Sequence, residues 1–340
     1  MLEIDLQQES DRIAREIRKQ VRSDLRRDGV VVGLSGGIDS SATVALSVRA
    51  LGPDRVFGVL MPEKDSDPKS LELAQKLAKT LGINSVVEDI APILEAAGCY
   101  RRRDDAIREL VPEFSEGWGC KVSIDALTNG GINITSLIVS TPEGEQRKVR
   151  MPLQIYDAVI AASNMKQRTR KQLEYYYADK LHYAVAGTPN RLEYDQGFFV
   201  KFGDGAADFK PIAHLYKTQV YQLAAYLGVP EEICNRLPTT DTWSLPQTQD
   251  EFFFTIPYPA MDLCLLAYNS GASAEDTASA TGLTKSQVEA IWRDIVSKRR
   301  AARYLHAAPM LITPVIGDRP DATTPADNKT PCPNASKHPH

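Results

Sequence analysis

The chain has 340 residues, of which 43% are hydrophobic and 25% charged, and its 40 basic and 44 acidic side chains leave a net charge of −4. This composition allows a substantial core in either two domains or one large α/β domain, and the slight acidity disfavours a protein that mainly binds nucleic acid. No stretch reaches the roughly 20 apolar residues that span a bilayer, and no signal peptide is recognisable. The five cysteines lack CxxC spacing, which is typical of a reducing compartment. We therefore expect a cytoplasmic protein with neither a membrane nor a nucleic-acid partner.

Apolar patterning predicts alternating helices and strands from the N-terminus onward. An amphipathic helix is predicted from residue 5 to about 28, before Gly29, and the run Val30–Leu34 is typical of a buried parallel strand. A glycine-rich turn and a helix over 42–49 follow. Further strands are predicted at 56–61, 84–90 and 182–186, and further helices at 70–81 and 218–227. Strands that alternate with helices indicate an α/β fold with a doubly wound parallel sheet.

Two regions interrupt this alternation. Residues 99–155 begin with a charged stretch and continue as short β-like pieces at 121–124, 133–139 and 146–151, with a turn at 141–144 between the last two. We interpret them as an insertion that carries a β-hairpin. Residues 313–340 are rich in Pro, Asp, Thr and Asn and poor in apolar residues, which predicts a disordered tail after a single domain of residues 1–312.

The most informative segment runs from Leu34 to Ser41 and reads LSGGIDSS, at a strand end and a helix start. Its glycines allow backbone N–H groups to approach a polyanion, and the helix N-terminus adds positive potential. An acid in such a phosphate-binding loop would repel phosphate unless a cation lay between them, so Asp39 is a candidate Mg²⁺ ligand. The alternative is an ordinary βα turn in which Asp39 caps the helix.

This loop after its VVVGL strand resembles the pyrophosphate-binding loop of the ATP pyrophosphatases. Four further stretches, at 59–70, 164–170, 187–208 and 211–220, are similar to the NAD synthetase family of the ammonia-dependent type. The resemblance implies an adenine nucleotide alpha hydrolase-like (ATP pyrophosphatase) fold. It also implies an ATP-dependent ligase that adenylates the nicotinate carboxylate of deamido-NAD and transfers ammonia, giving NAD, AMP and pyrophosphate.

The resemblance also assigns roles to individual residues. The implied ATP-binding residues are Gly33, Leu34, Ser35, Gly36, Gly37, Ile38, Asp39, Ser40, Ser41, Thr188, Lys217 and Thr239. The implied substrate-binding residues are Arg168, Lys201, Asp208 and Lys298. Asp39 and Glu193 are the implied Mg²⁺ ligands, and Asp204 and Lys217 the candidate catalytic residues.

Each assignment has a simpler alternative. Lys217 on its own could be an exposed helix lysine, and Glu193 a surface carboxylate. The basic stretch 164–171 could be a solvated helix face. Phe198, Phe199 and Phe202 could form an aromatic wall for a pyridine ring, or they could pack in the core.

Two departures from the family pattern bear on the substrate. The family's mobile lid reads roughly GQTDEDELG, whereas the lid 246–258 here contains Phe252, Phe253 and Phe254. Together with the insertion, this leaves open a specialised amide ligase for a different carboxylate. Only about thirty residues precede the loop, so we expect free ammonia or ammonia from a separate amidotransferase. The family also implies a homodimer. A helix–turn–helix pattern at 272–303 is the feature that would suit DNA binding, but the family's C-terminal helices explain it as well.

Overall fold

The computed structural model describes residues 2–124, 135–239 and 242–313. The predicted tail therefore lies outside the described residues from position 314 onward, as do Thr240, Asp241 and part of the insertion. Residues Met1–Leu305 form one compact unit.

The N-terminal part alternates helices and strands as predicted. In chain order it contains α1 (Leu6–Lys19), β1 (Val30–Gly33), α2 (Ile38–Leu51), β2 (Val56–Leu60), α3 (Pro68–Leu81) and β3 (Asn84–Val87). A π-helical turn, Gln20–Asp24, extends α1. The ends of α3 follow simple rules, since Asp67 accepts a hydrogen bond from the Lys69 N–H at 2.9 Å and Gly82 adopts a left-handed conformation that stops the helix.

The remaining elements follow in order. They are α4 (Ala91–Ala96), α5 (Cys99–Arg108), β4 (Gly119–Ile124), β5 (Thr135–Ser140), β6 (Gln146–Arg150), α6 (Leu153–Leu181), β7 (Ala184–Val185), α7 (Arg191–Gln196), α8 (Lys217–Tyr226), α9 (Glu231–Cys234), α10 (Tyr258–Ser270), α11 (Ala274–Thr281) and α12 (Lys285–His306). Another π-helical turn, Asp250–Phe254, lies between α9 and α10. The helix–turn–helix pattern corresponds to α11 and α12, and the buried Ile291 and Ile295 of α12 pack in one cluster with residues of α10.

Within the described ranges, the central sheet has four parallel strands in the order β3-β2-β1-β7. Alternate side chains of a strand point to opposite faces. Val30 and Val32 accordingly pack in a core with α1, α2 and α8, whereas Val31 and Val59 pack in another with α5 and α6. Helices on both faces confirm the predicted doubly wound α/β sheet.

The first residues of the insertion form α5, which packs against the central sheet, and its strands form a separate antiparallel sheet in the order β4-β5-β6. The predicted turn connects β5 and β6, with the Gly144 N–H donating to the Thr141 carbonyl at 2.9 Å. Apolar side chains of this sheet, among them Val122, Leu137 and Val139, pack against Ile107 of α5 in their own core. The hairpin of the insertion is therefore confirmed.

One error of the sequence-based prediction that affects the site is at the start of the second helix. It was expected at residue 42, but α2 begins at Ile38, so Asp39 lies inside its first turn. The helix-capping position belongs to Gly37, which makes the alternative of Asp39 as a capping residue wrong. None of the helices in the described ranges has the length and apolar character that a membrane span requires.

Candidate active site

A cavity of about 810 Å³ opens at the carboxyl end of the central sheet. The strand β1 has β2 on one side and β7 on the other, so the connections after β1 and β7 diverge and leave a crevice between them. Ligands of open α/β sheets bind at such a switch point. The loop after β1 and Thr188, which follows β7, both line this cavity.

The predicted phosphate loop has the geometry of an anion site. Gly36 has a φ of +73°, and a Cβ at this position would overlap the Ser70 carbonyl oxygen, so only glycine fits without strain. The Ser40 and Ser41 hydroxyls donate to the Gly37 carbonyl at 3.1 and 2.8 Å, which fixes the turn into α2. The loop residues that line the cavity are Gly33, Leu34, Ser35, Gly37, Ile38, Asp39 and Ser40. Gly36 and Ser41 are not among the lining residues, but the left-handed Gly36 and the Ser41 hydrogen bond help to fix the loop conformation.

Two charged residues from separate helix starts meet beside this loop. Lys217, the first residue of α8, pairs through its Nζ with the Asp39 carboxylate in the first turn of α2. The Lys217 side chain is only 1% exposed. The alternative of an exposed helix lysine is therefore wrong, and a buried cation lies next to the phosphate loop.

The start of α7 connects to the same pair. The Asn190 Nδ2 donates to Asp39 Oδ1 at 3.0 Å, and the Asn190 N–H donates to Glu193 Oε2 at 3.0 Å in a capping box. Glu193 is buried, so it is not the surface carboxylate of the simpler interpretation. Asn190 thus holds both predicted metal ligands in place, a role that the sequence analysis did not assign.

The electrostatics of this cluster follow from burial. Burial by itself lowers the pKa of Lys217, but the charges of Asp39 and Glu193 outweigh it and raise that pKa, so the ammonium form is kept. Burial and, after it, the charge of Asp39 raise the pKa of Glu193. The charge of Asp39, which opposes the ionisation of Glu193, favours a cation near these two side chains.

The residues present fit Mg²⁺. In the described ranges there is no group of three or more His, Cys, Asp or Glu side chains that could hold a metal ion. Mg²⁺ does not need one, because it commonly uses one or two carboxylates and completes its shell with substrate phosphates and water. Asp39 and Glu193, which both line the cavity, would be such a pair of oxygen ligands.

The backbone of Lys217 is positioned by a residue that the sequence analysis did not single out. Asp262 of α10 is fully buried, and its two carboxylate oxygens accept the N–H groups of Lys217 and Thr218 at 3.2 and 2.8 Å. Burial raises the pKa of Asp262 to about 6. This contact caps α8 from a distant helix and fixes the point from which the lysine side chain extends.

A second charged cluster lines the cavity. Lys171 Nζ donates to Glu174 Oε2 at 2.6 Å, and both α6 side chains are buried. A Cβ at Gly33 would lie 2.7 Å from Glu174 Oε1, so the glycine makes room for this carboxylate. Asp204 accepts the Val200 N–H at 2.9 Å, and burial raises its pKa. Buried ionisable groups of this kind are typical of functional sites.

The remaining predicted residues divide into two groups. Thr188, Thr239, Asp204 and Lys298 line the cavity, whereas Arg168, Lys201 and Asp208 do not. The Arg168 Nε donates to the Lys201 carbonyl at 3.2 Å, which places these two basic residues together. Asp208 accepts the Val185 N–H at 2.7 Å and so ties its loop to β7.

The basic helix face differs from its simpler interpretation. Lys166 and Lys171 of α6 are buried, so the alternative of a solvated charged face is wrong for these two lysines, whereas Arg168 is exposed. Lys166 falls in helical register with the buried apolar residues Ile155, Val159 and Tyr177, and Lys171 with the buried Ala178. A charged residue at a helix position that the apolar pattern predicts to be buried is the signal that could have identified these two lysines.

Known proteins match this architecture. The sequence model of the NAD synthase family matches residues 9–112 and 129–303. The NH(3)-dependent NAD(+) synthetase of Rhizobium meliloti is 60% identical to this chain, and the match covers 92% of this chain and 94% of that protein. The NH(3)-dependent NAD(+) synthetase of Methanocaldococcus jannaschii is 33% identical, and the match covers 88% of this chain and 95% of that protein.

Solved structures show the same fold. An NMN synthetase from Francisella tularensis gives a TM-score of 0.63 at 21% identity, covering 91% of this chain and 99% of its own. An NH3-dependent NAD synthetase from Campylobacter jejuni gives 0.59 at 24% identity, covering 91% of this chain and all of its own. The sequence matches span most of the chain and include its phosphate loop, its buried lysine and both predicted metal ligands. The chain therefore belongs to the NAD synthase family.

Proposed function

We propose that the chain is an ATP-dependent amide ligase that converts deamido-NAD and ammonia to NAD, with release of AMP and pyrophosphate. The observation that carries this proposal is the buried Lys217–Asp39 pair beside a glycine-rich anion loop at the switch point of the sheet. An ammonium group next to a phosphate site stabilises the charge that develops on a leaving pyrophosphate.

The reaction has two steps on this proposal. A nicotinate carboxylate oxygen attacks the α-phosphorus of ATP, and the bond to the pyrophosphate oxygen breaks. Ammonia then attacks the carbonyl carbon of the acyl adenylate, loses a proton, and AMP leaves with one oxygen of the original carboxylate. The loop backbone and Lys217 hold the phosphates, and the partly exposed Asp204, which lines the cavity, is a candidate for steering or deprotonating ammonium in the second step.

Mg²⁺ is part of the proposal as the ion held by Asp39 and Glu193 together with the ATP phosphates. When bound, it neutralises charge on the departing pyrophosphate. Lys217 would be the protein's own cation beside the same phosphates. Asn190 orients the two carboxylates through hydrogen bonds of 3.0 Å, one to Asp39 and one to Glu193.

Three further parts of the proposal concern the setting of the reaction. Ammonia is the nitrogen donor, either free or produced by a separate amidotransferase. The protein is a homodimer, which is supported by the exposed Leu153 (72%) and Tyr176 (54%) of α6 and by the position of Arg168 and Lys201 outside the cavity lining of a single chain. A cytoplasmic location is supported by the free cysteines of the described ranges.

The direct test is pyrophosphate release from ATP, Mg²⁺ and ammonium, with and without deamido-NAD. We expect release only when deamido-NAD is present, in equal amounts with NAD. Nicotinate mononucleotide, which carries the same carboxylate on a smaller body, serves as the comparison substrate. A protein that binds ATP but is stimulated by the mononucleotide, or by neither compound, would favour the alternative of an amide ligase for another carboxylate.

A further inference from the structure

One wall of the cavity is formed by residues 242–254, here called the wall segment. Its residues Thr242, Trp243, Phe252 and Phe253 line the cavity. Phe253 stacks on Phe198, which also lines the cavity, with ring centroids 4.7 Å apart. The segment contains a single π-helical turn and no strand or α-helix. Its shape must therefore come largely from contacts with other elements.

At residues 243–252 many of those contacts are made to the outer edge of the insertion sheet, whereas Phe253 and Phe254 pack with residues of α10 and α12. β4 is an edge strand of that sheet, and an edge strand presents unpaired backbone groups. The Cys120 N–H donates to Ser244 Oγ at 2.8 Å, and the Leu245 N–H donates to the Cys120 carbonyl at 3.3 Å. Two residues further along β4, the Gln247 Nε2 donates to the Val122 carbonyl. The wall segment therefore covers the free edge of β4.

Side chains strengthen the same contact. Lys121 Nζ donates to the Pro246 carbonyl at 3.1 Å and pairs with Glu251 at 2.7 Å. Trp243 belongs to the apolar core of the insertion, and Phe252 packs against that core with its ring centroid 6.0 Å from that of Trp243. Residues 243–252 of the wall segment are thus held by the insertion, and Trp243 and Phe252 also line the cavity.

A buried charge network ties the beginning of the wall segment as well. Lys166 Nζ donates to the Thr242 carbonyl at 2.7 Å and pairs with Glu63 and Asp65 at 2.9 and 2.7 Å. Arg103 of α5 also pairs with Asp65. Since Glu63 lines the cavity, this network joins the loop after β2, the insertion and the wall segment at one point.

We propose that the insertion positions the wall of the active site by docking the edge of β4 against residues 242–254, with Gln247 as the main positioning residue. β4 lies in the stretch 113–128 that the family model leaves unmatched, and the wall it holds carries the three phenylalanines of the altered lid. The insertion is thus a structural part of the substrate site. The proposal rests on the proposed function for its substrate, but the docking itself does not.

The test replaces Gln247 by leucine, which keeps its bulk and removes the hydrogen bond to β4. Arg147→Gln is the matched control. Arg147 lies on β6, at the opposite edge of the same sheet, and the substitution breaks its exposed 2.6 Å ion pair with Glu113. Hydrogen exchange by mass spectrometry should show exchange of residues 242–254 accelerated about tenfold in Gln247→Leu and unchanged in Arg147→Gln, with the β1 and α2 peptides unchanged in both. Equal exchange of the wall segment in all proteins would overturn the proposal.

Kinetics provide a readout that a purely structural role would not move. We expect the KM for deamido-NAD to rise about tenfold in Gln247→Leu with kcat changed less than about threefold, because one buried hydrogen bond that orders a binding wall is lost. Equal losses of kcat and of thermal stability without a KM change would contradict a positioning role. If Gln247→Leu does not fold, Lys121→Met is measured in the same way, because it removes the contacts of Lys121 with the Pro246 carbonyl and with Glu251. A wild-type protein inactive on deamido-NAD would refute the proposed function, and the exchange experiment would still decide the docking.

Discussion

Replacing Lys217 by methionine separates the two roles that the structure gives to this lysine. Its Nζ pairs with Asp39, its side chain is 1% exposed, and it lies beside the phosphate loop. Methionine keeps most of the volume of the side chain and removes the charge. The substitution therefore affects folding through the orphaned Asp39 carboxylate and catalysis through the missing cation.

The size of each effect follows from the environment. Removing one partner of a buried ion pair costs about 3–5 kcal/mol, and the 15% exposure of the Asp39 side chain places the loss near the lower limit. A loss of about 3 kcal/mol corresponds to a fall in Tm of about 6 °C for a unit of this size. Loss of one stabilising group at a developing anion costs about 100- to 1,000-fold in kcat.

The double variant Asp39→Asn, Lys217→Met distinguishes these effects. It has no uncompensated charge at position 39, so we expect most of the lost stability to return, while its activity stays low because the proposed Mg²⁺ ligand Asp39 is lost together with Lys217. Thermal unfolding and pyrophosphate release are measured on the wild type, both single variants and the double variant. Turnover of Lys217→Met within about threefold of wild type, or a double variant no more stable than Lys217→Met, would refute this reasoning.

Two other predictions concern residues around this pair. Gly36→Ala forces a side chain into a left-handed conformation and onto the Ser70 carbonyl, so ATP affinity measured by calorimetry should fall at least about tenfold. Gly228→Ala has a similar φ of +78° with nothing within 4 Å, and it should leave ATP affinity unchanged. Asp262 has its pKa raised from 3.8 to about 6, so the folded state binds its proton more tightly and stability falls as the pH rises through that interval. Asp262→Asn should remove up to about 3 kcal/mol of this pH dependence in urea unfolding; parallel stability curves for the two proteins would argue against it.

Local patterns in the sequence predicted the parts of the fold that depend on local rules. The run Val30–Leu34 with the glycines after it predicted the central strand and its loop, and α3 ends at Gly82 as predicted, although it begins at Pro68 and not at residue 70. The likeness of several ordered motifs to one family led to the same identification as the comparisons. These features depend on residues close together in the chain.

The parts of the structure that the sequence did not predict depend on contacts between segments that are distant in the chain. Asp262 caps α8 from 44 residues away, and Gln247 reaches Val122 across 125 residues. Neither contact leaves a local signal, because the residue types are ordinary for an exposed helix or loop. The burial of Lys166 and Lys171 was not predicted for a different reason. Their charge suggested an exposed helix face, although their positions in the helical repeat place them among the buried residues of α6.

Isotope transfer tests the adenylation chemistry most directly. Deamido-NAD labelled with ¹⁸O in both carboxylate oxygens is turned over with ATP, Mg²⁺ and ammonium, and the AMP is analysed by mass spectrometry. Attack of the carboxylate on the α-phosphorus predicts one ¹⁸O atom in each AMP and one in the amide of NAD. AMP without the label, or label in pyrophosphate, would contradict an acyl adenylate formed in this site.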